Sequence, residues 1–178
     1  MNYMNFFIEI FHCIKNDLLM AADYIIYCIL VAPIILGVRL LLRRKFSLPK
    51  PIEFIFSLYL VGVVSITLLS REPGTITGID LQLFQTLNRT PQSFAYFFEN
   101  ILLFIPFGIL APFTIRKLTS FLPCIITGFL FSLGIELIQL VTKCGYCQLD
   151  DLIMNTLGTM IGCLIFKCIS VILKLFYK

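Results

Sequence analysis

The sequence predicts an all-α, polytopic membrane protein with about five transmembrane helices. Three observations carry this. The 178 residues are 59% hydrophobic and only 13% charged, about half the charge of a typical soluble domain. The mean hydropathy is +0.97, more apolar surface than a soluble domain of this length can hide. Finally, the apolar residues come in stretches of roughly 20, the length that crosses about 30 Å of hydrocarbon as a helix. A water-soluble enzyme, a disordered chain and a disulfide scaffold are thereby excluded, and no nucleic-acid partner is expected.

In chain order, residues before Lys15 are too few to span. Phe6, Phe7, Ile10, Phe11 and Ile14 recur at helical spacing and predict a short amphipathic helix in the membrane interface. Glu9 interrupts the apolar run and no basic residue precedes Lys15, which makes a poor signal peptide. Spans are predicted at 22–42, 52–70, 95–114, 120–141 and 151–173. Residues 1–50 therefore form an N-terminal unit of interfacial helix and first span, and 51–178 the main helical membrane domain. No internal repeat is visible.

Basic residues orient the bundle. Arg39, Arg43, Arg44, Lys45 and Lys50, then Arg116 and Lys117, then Lys167, Lys174 and Lys178 fall on one side. Lys15, Arg71, Arg89 and Lys143 fall on the other. The positive-inside rule predicts an outside N-terminus and a cytoplasmic C-terminus, with the loops around 71–94 and 143–150 outside.

On that orientation the polar residues of the last three spans gather at the outer end. An ionisable residue inside a membrane helix costs about 2.5 kcal/mol or more and is a functional hypothesis by default. Glu99 and Asn100 open the third span, Glu136 and Gln139 close the fourth, and Asp150, Asp151 and Asn155 open the fifth. Asn100, Phe104, Gly108 and Ala111 share one helical stripe; so do Gly128, Ser132, Glu136 and Gln139, and Asp151, Asn155, Gly158 and Gly162. Each stripe is polar outside and small inside. Small residues let helices approach closely, so these stripes predict a wedge, tight toward the cytoplasm and splayed outward around a pocket lined by Asn100, Glu136, Gln139, Asp150, Asp151 and Asn155.

A blander reading competes at each position. Asp150 and Asp151 suit a helix N-terminus as caps, and Asn100 and Asn155 serve equally as interhelical hydrogen-bond glue. Arg71 and Arg89 either bind a phosphate headgroup by forked hydrogen bonds or snorkel to lipid. Cys144 and Cys147 have CxxC spacing without a second pair, which argues against zinc; a local disulfide and two idle thiols stay open. His12, the single histidine, is a bystander on the interfacial helix. The phenylalanine excess, 18 residues, is read as lipid-facing bulk.

The run Glu99–Cys163 resembles the VanZ family. Asn100-Ile-Leu-Leu-Phe104-Ile-Pro106-Phe-Gly108 is similar to the family's N-x-x-x-F-x-P-x-G helix, Glu136-Leu-Ile-Gln139 to its I-E-x-x-Q segment, and Asp150-Asp151-Leu-Ile-Met-Asn155-Thr-Leu-Gly158 to its D-D-x-x-x-N-T-x-G motif. Asp80-Leu-Gln-Leu-Phe84 faintly resembles an N-L-x-P-F stretch, with Asp80 and Leu83 in place of Asn and Pro. Many relatives carry an Arg and a further acid before the D-D pair, where this chain has Cys144-Gly-Tyr-Cys-Gln148. The resemblance implies a bacterial plasma-membrane protein that lowers susceptibility to teicoplanin-type lipoglycopeptides. Its pocket would bind or remodel a membrane lipid, a lipid-linked cell-wall precursor or the glycopeptide itself. Three acids near an anionic headgroup would call for a bridging Mg²⁺ or Ca²⁺ or for Arg71 and Arg89. The alternative is a membrane-embedded hydrolase or transferase in which Glu136 is a general base and Asp151 holds a metal or orients a lipid or polyprenyl-linked substrate. No motif specifies an oligomeric state.

Overall fold

The computed structural model describes residues 3–23, 30–31, 33–34, 37–38, 51–69, 74, 76–84 and 90–176. In order, the elements are α1 (Tyr3–Ala22), α2 (Pro51–Val64, continued by a π turn, Ser65–Leu69), β1 (Ile76–Asp80), α3 (Pro91–Thr114), a 3₁₀ turn (Arg116–Thr119), α4 (Phe121–Thr142), β2 (Cys144–Gln148) and α5 (Leu149–Phe176). Among the described residues, four helical stretches are long and apolar enough to cross a membrane: Pro51–Leu68, Pro91–Thr114, Phe121–Thr142 and Leu149–Phe176. They correspond to the last four spans expected from sequence. Most of the predicted first span, 22–42, lies outside the described residues, as do Arg71 and Arg89.

α1 is longer than expected and continues past Lys15 to Ala22. Ile10 is buried, Phe6 meets Phe94 edge to face at 5.4 Å, and the Gln92 side-chain amide donates to Asp17 at 2.7 Å. The helix is thus docked on α3 by its apolar stripe and a polar clasp.

α3 begins at Pro91, four residues before the hydropathy rise places it. The local reason is a cap: the Thr90 hydroxyl accepts from Ser93 N at 3.2 Å, and Pro91 occupies the first helical position, where its missing N–H costs nothing. Pro106 and Pro112 lie inside the helix. The Tyr59 hydroxyl donates to Leu103 O at 2.8 Å, beside the turn where Pro106 cannot donate.

The core is aromatic, so the reading of the phenylalanines as lipid-facing bulk fails for Phe56, Phe104 and Phe107, while others such as Phe98, Phe113 and Phe129 are exposed. Phe56 of α2, Phe104 and Phe107 of α3 and Phe131 of α4 form one cluster, with Phe107 stacked on Phe131 at 5.5 Å. Phe104 is fully buried. Rings meeting in offset or tilted contact add to the burial of their area.

α3 and α5 touch through their backbones. A Cβ on Gly158 would collide with Ile101 O, one on Gly162 with Ile105 O, and one on Gly108 with Thr159 O. The same substitution at Gly128 of α4 would strike the Thr159 side chain, at 2.5 Å from its hydroxyl oxygen. Close approach through small residues is how membrane helices gain dispersion contact when lipid removes the hydrophobic drive.

Sequence reading expected loops where the structure has strands. β1 and β2 pair in parallel, Ile76 with Cys144 through Asp80 with Gln148. The register sets Gly78 opposite Tyr146, and a Cβ on Gly78 would lie 2.7 Å from the Tyr146 ring. The pair closes over the end of the bundle where α4 gives way to α5. Lys143 caps α4 in the left-handed conformation, φ 57°, and its carbonyl accepts from Gly74 N at 3.2 Å.

Candidate functional site

Six candidate residues at the β-strand end of the bundle occupy one layered polar cluster, though each is tied to a different partner. At the α3–α5 contact, the Asn100 side-chain amide donates to Asp151 at 2.7 Å. One turn further in, Asn155 donates to the Ser132 hydroxyl of α4 at 2.8 Å, while Thr159 donates to Asn155 O at 3.1 Å. Asn100, Asp151, Asn155 and Ser132 thus stitch three helices together over two successive turns, next to the glycine contacts.

The remaining three reach the lid and α2. Glu136 is 3% exposed and accepts from Gln148 N, the last residue of β2, at 3.0 Å. Asp150 is 4% exposed and accepts from Phe84 N at 2.7 Å, across 66 residues of sequence. Phe84 has a positive φ of 59°, so Asp150 holds a turn that a bulky residue rarely adopts. Gln139 donates to Thr67 O at 2.9 Å. Thr67 lies in the π turn that ends α2, where the wider winding disturbs the i→i−4 ladder and leaves carbonyls for outside donors.

The arrangement departs from the expected three-helix wedge. α2 contributes through its π turn, and β2 and the turn that follows β1 contribute backbone donors. Neither signal was readable as polarity: Thr67, Phe84 and Gln148 enter through main-chain atoms. Asp80 is a further partner of the strand end, its carboxylate accepting from Gln82 N at 3.0 Å. None of Glu136, Asp150 and Asp151 is without a partner.

Two acceptors in this cluster are left over. Gln139 Oε1 and Asn155 Oδ1 are buried and receive no hydrogen bond, although the residues are only 2% and 4% exposed. An orphaned buried acceptor costs about 1–3 kcal/mol. Among the described residues, no group of three His, Cys, Asp or Glu side chains is placed to hold a metal ion.

The lid brings its own chemistry. The Cys147 thiol is pushed above its ordinary pKa, first by burial and then by the carboxylates of Glu136 and Asp151. Those two acids from different helices therefore act on one point of β2. The CxxC pair cannot close a local disulfide here. Both residues lie on a strand, about 10 Å apart, beyond the roughly 7 Å that a bridge spans between Cα atoms, and both are free thiols.

Other acidic residues sit apart. Glu53, which sequence reading passed over, is buried at the opposite end of α2, beneath the Ser57 hydroxyl's bond to its carbonyl at 2.8 Å. Glu99 faces Asp17 of α1 and keeps Oε1 buried without a partner. His12 is exposed on α1.

Comparison with known proteins agrees with the motifs. Over 112 residues, 61% of this chain and 68% of the other, the sequence is 29% identical to Protein VanZ of Enterococcus faecium. No solved structure matches the chain. A family model described as VanZ/LLP1 matches residues 55–173, from α2 through all but the last turn of α5 and including every residue of the polar cluster; the chain is a membrane protein of the VanZ/LLP1 family.

Proposed function

We propose that this protein lowers the susceptibility of a bacterial cell to teicoplanin-type lipoglycopeptides by engaging an amphiphile at its outer polar cluster. The ligand is a membrane lipid, a lipid-linked cell-wall precursor or the drug itself. The protein lies in the plasma membrane with the β-strand lid outside and the C-terminus in the cytoplasm. In the topology predicted from the sequence, ten of the 14 Lys and Arg residues are assigned to the cytoplasmic side, which supports this orientation.

The observation that carries the reading is the pair of orphaned acceptors, Gln139 Oε1 and Asn155 Oδ1, among the carboxylates of Asp151, Glu136 and Asp150, which Asn100, Gln148 N and Phe84 N hold in place and whose negative charge favours the same donors. A cluster whose spare valences are oxygen lone pairs asks for donors. The matching headgroup carries hydroxyl or ammonium groups, as a sugar or amino-alcohol does; a bare phosphate would find acceptors facing acceptors. Mg²⁺ or Ca²⁺ would enter only as a bridge carried in with an anionic ligand, and the reading needs no resident metal ion. Arg71 and Arg89 flank β1 in sequence and would neutralise such a ligand's charge.

Turnover is the weaker alternative. Glu136 and Asp151, its general base and its metal or substrate ligand, each hold a hydrogen bond that joins elements of the fold. A lipid-mass comparison decides between the two. Binding predicts unchanged lipid masses on expression and a particular lipid that co-purifies with wild type and is released by Glu136→Gln. New lipid species that disappear with Glu136→Gln would establish the hydrolase or transferase instead.

A further inference from the structure

The inner face of α5 is consumed by the site, but the opposite face carries a groove. It is bounded by Leu149, Leu152, Thr156, Leu157 and Met160 on α5 and by Phe129 on α4, with a volume of ≈ 320 Å³. That is within the range of about 300–1,000 Å³ for small-molecule sites. Its single polar side chain, Thr156, already donates its hydroxyl to Leu152 O at 2.7 Å, so the groove offers a ligand no hydrogen bond. Only an apolar occupant suits it.

Its dimensions select the occupant. The groove opens at Leu149, the first residue of α5, beside Asp150 and Gln148 of the polar cluster. It ends at Met160, about 16 Å further along the helix. Gly128 abuts Thr159, which sets the neighbouring Phe129 ring level with Met160 as a floor. One leaflet is half of about 30 Å of hydrocarbon. The groove is therefore as deep as the outer leaflet and starts where headgroups end.

We propose that this α4–α5 groove holds one acyl or prenyl chain of the amphiphile whose headgroup meets the polar cluster. The proposal rests on the function proposed above and extends it by assigning the tail a place. Bound in this way, the chain lies along Leu152 and Leu157 with its end against Phe129 and Met160. Affinity comes from contact that annular lipid, which exchanges freely over a convex helix face, does not gain. It also accounts for a site whose polar half alone could not discriminate a lipidated ligand from an unlipidated one.

The test uses the full chain reconstituted in phosphatidylcholine vesicles containing a phosphatidylethanolamine probe with a diazirine at the end of one acyl chain. After irradiation, labelled residues are mapped by mass spectrometry. The expected label concentrates several-fold on Phe129 and Met160 over Leu130 and Leu164, which are also exposed. Leu157→Trp, filling the groove from an exposed position, reduces it to the level of Leu164, whereas Leu164→Trp leaves it unchanged. Label spread evenly over the lipid-facing residues overturns the proposal. So does an interchain disulfide formed by Ile153→Cys at the expense of labelling, because a second copy then fills the groove. If label collects in the groove while Glu136→Gln retains full drug protection, the tail site stands and the headgroup reading falls. Diffuse label with protection lost in Glu136→Gln gives the reverse.

Discussion

Gly162→Ala is the sharpest test of how the bundle is held. The added Cβ would run into Ile105 O and lie 2.9 Å from Gly108 Cα. Both obstacles are backbone, so no side chain can swing away and α3 must move off α5. Overpacking of this kind costs about 1–3 kcal/mol, and a clash with backbone belongs at the upper end. Alanine returns up to about 1 kcal/mol of helix propensity, leaving a net loss of about 1–2 kcal/mol. Gly134→Ala is the matched control on α4, since a Cβ there meets nothing within 4 Å; it should gain about 1 kcal/mol. The two variants should thus differ by about 2–3 kcal/mol, roughly 30- to 150-fold in the unfolding equilibrium. Reversible unfolding in mixed detergent micelles, followed by helicity, reads this directly. Equal stability of the two variants would refute the backbone contact between α3 and α5.

Two further outcomes follow from the site. Asn100→Leu deletes the bond to Asp151 at 2.7 Å; membrane hydrogen bonds of this type average about 0.6 and reach about 1.7 kcal/mol, so the same micelle assay should show a loss of about 1 kcal/mol, with Asp151→Asn closer to wild type because an amide still accepts. Cys147, with its pKa raised by burial and then by Glu136 and Asp151, holds less thiolate at neutral pH than an ordinary cysteine. In a chain whose other cysteines are replaced, its maleimide labelling should keep accelerating as pH rises through and beyond the usual thiol range. Glu136→Gln removes one of the two charges, lowers that pKa and should speed labelling near pH 8; no change would mean Glu136 lies too far away to matter. An impermeant maleimide that reaches Cys147 only from the cytoplasmic side would overturn the orientation.

What could be read without coordinates was what side chains announce by type and spacing. Asn100, Asp151 and Asn155 fall on stripes of 3.6-residue period, and the structure joins Asn100 to Asp151 and Asn155 to Ser132. Gly158 and Gly162, spaced as a GxxxG pair, do meet α3 backbone to backbone. What escaped was carried by the main chain. The parallel strands at Ile76–Asp80 and Cys144–Gln148 are five residues each, too short and too mixed in polarity to show a period of two. The π turn at Ser65–Leu69 leaves no compositional trace, yet it supplies the carbonyl that Gln139 uses. Gln139 and Asp150, expected as pocket lining, spend hydrogen bonds on Thr67 O and Phe84 N, because a buried polar group is satisfied by the nearest backbone before it serves a ligand. The start of α3 escaped too: the span expected from hydropathy, 95–114, passes over the Thr90-Pro91 cap that begins the helix.

The central claim is that the outer polar cluster, rather than the bundle as a whole, alters what a lipidated glycopeptide meets at the cell surface. Susceptibility to teicoplanin, with vancomycin alongside, would be measured in a sensitive Gram-positive host carrying empty vector, wild type or Glu136→Gln at matched membrane levels. Glutamine keeps the shape of the side chain and an acceptor for Gln148 N, so the bundle should be preserved. The account predicts protection by wild type against teicoplanin only, lost in Glu136→Gln. Equal susceptibility in all three strains, or protection that Glu136→Gln retains in full, would contradict it.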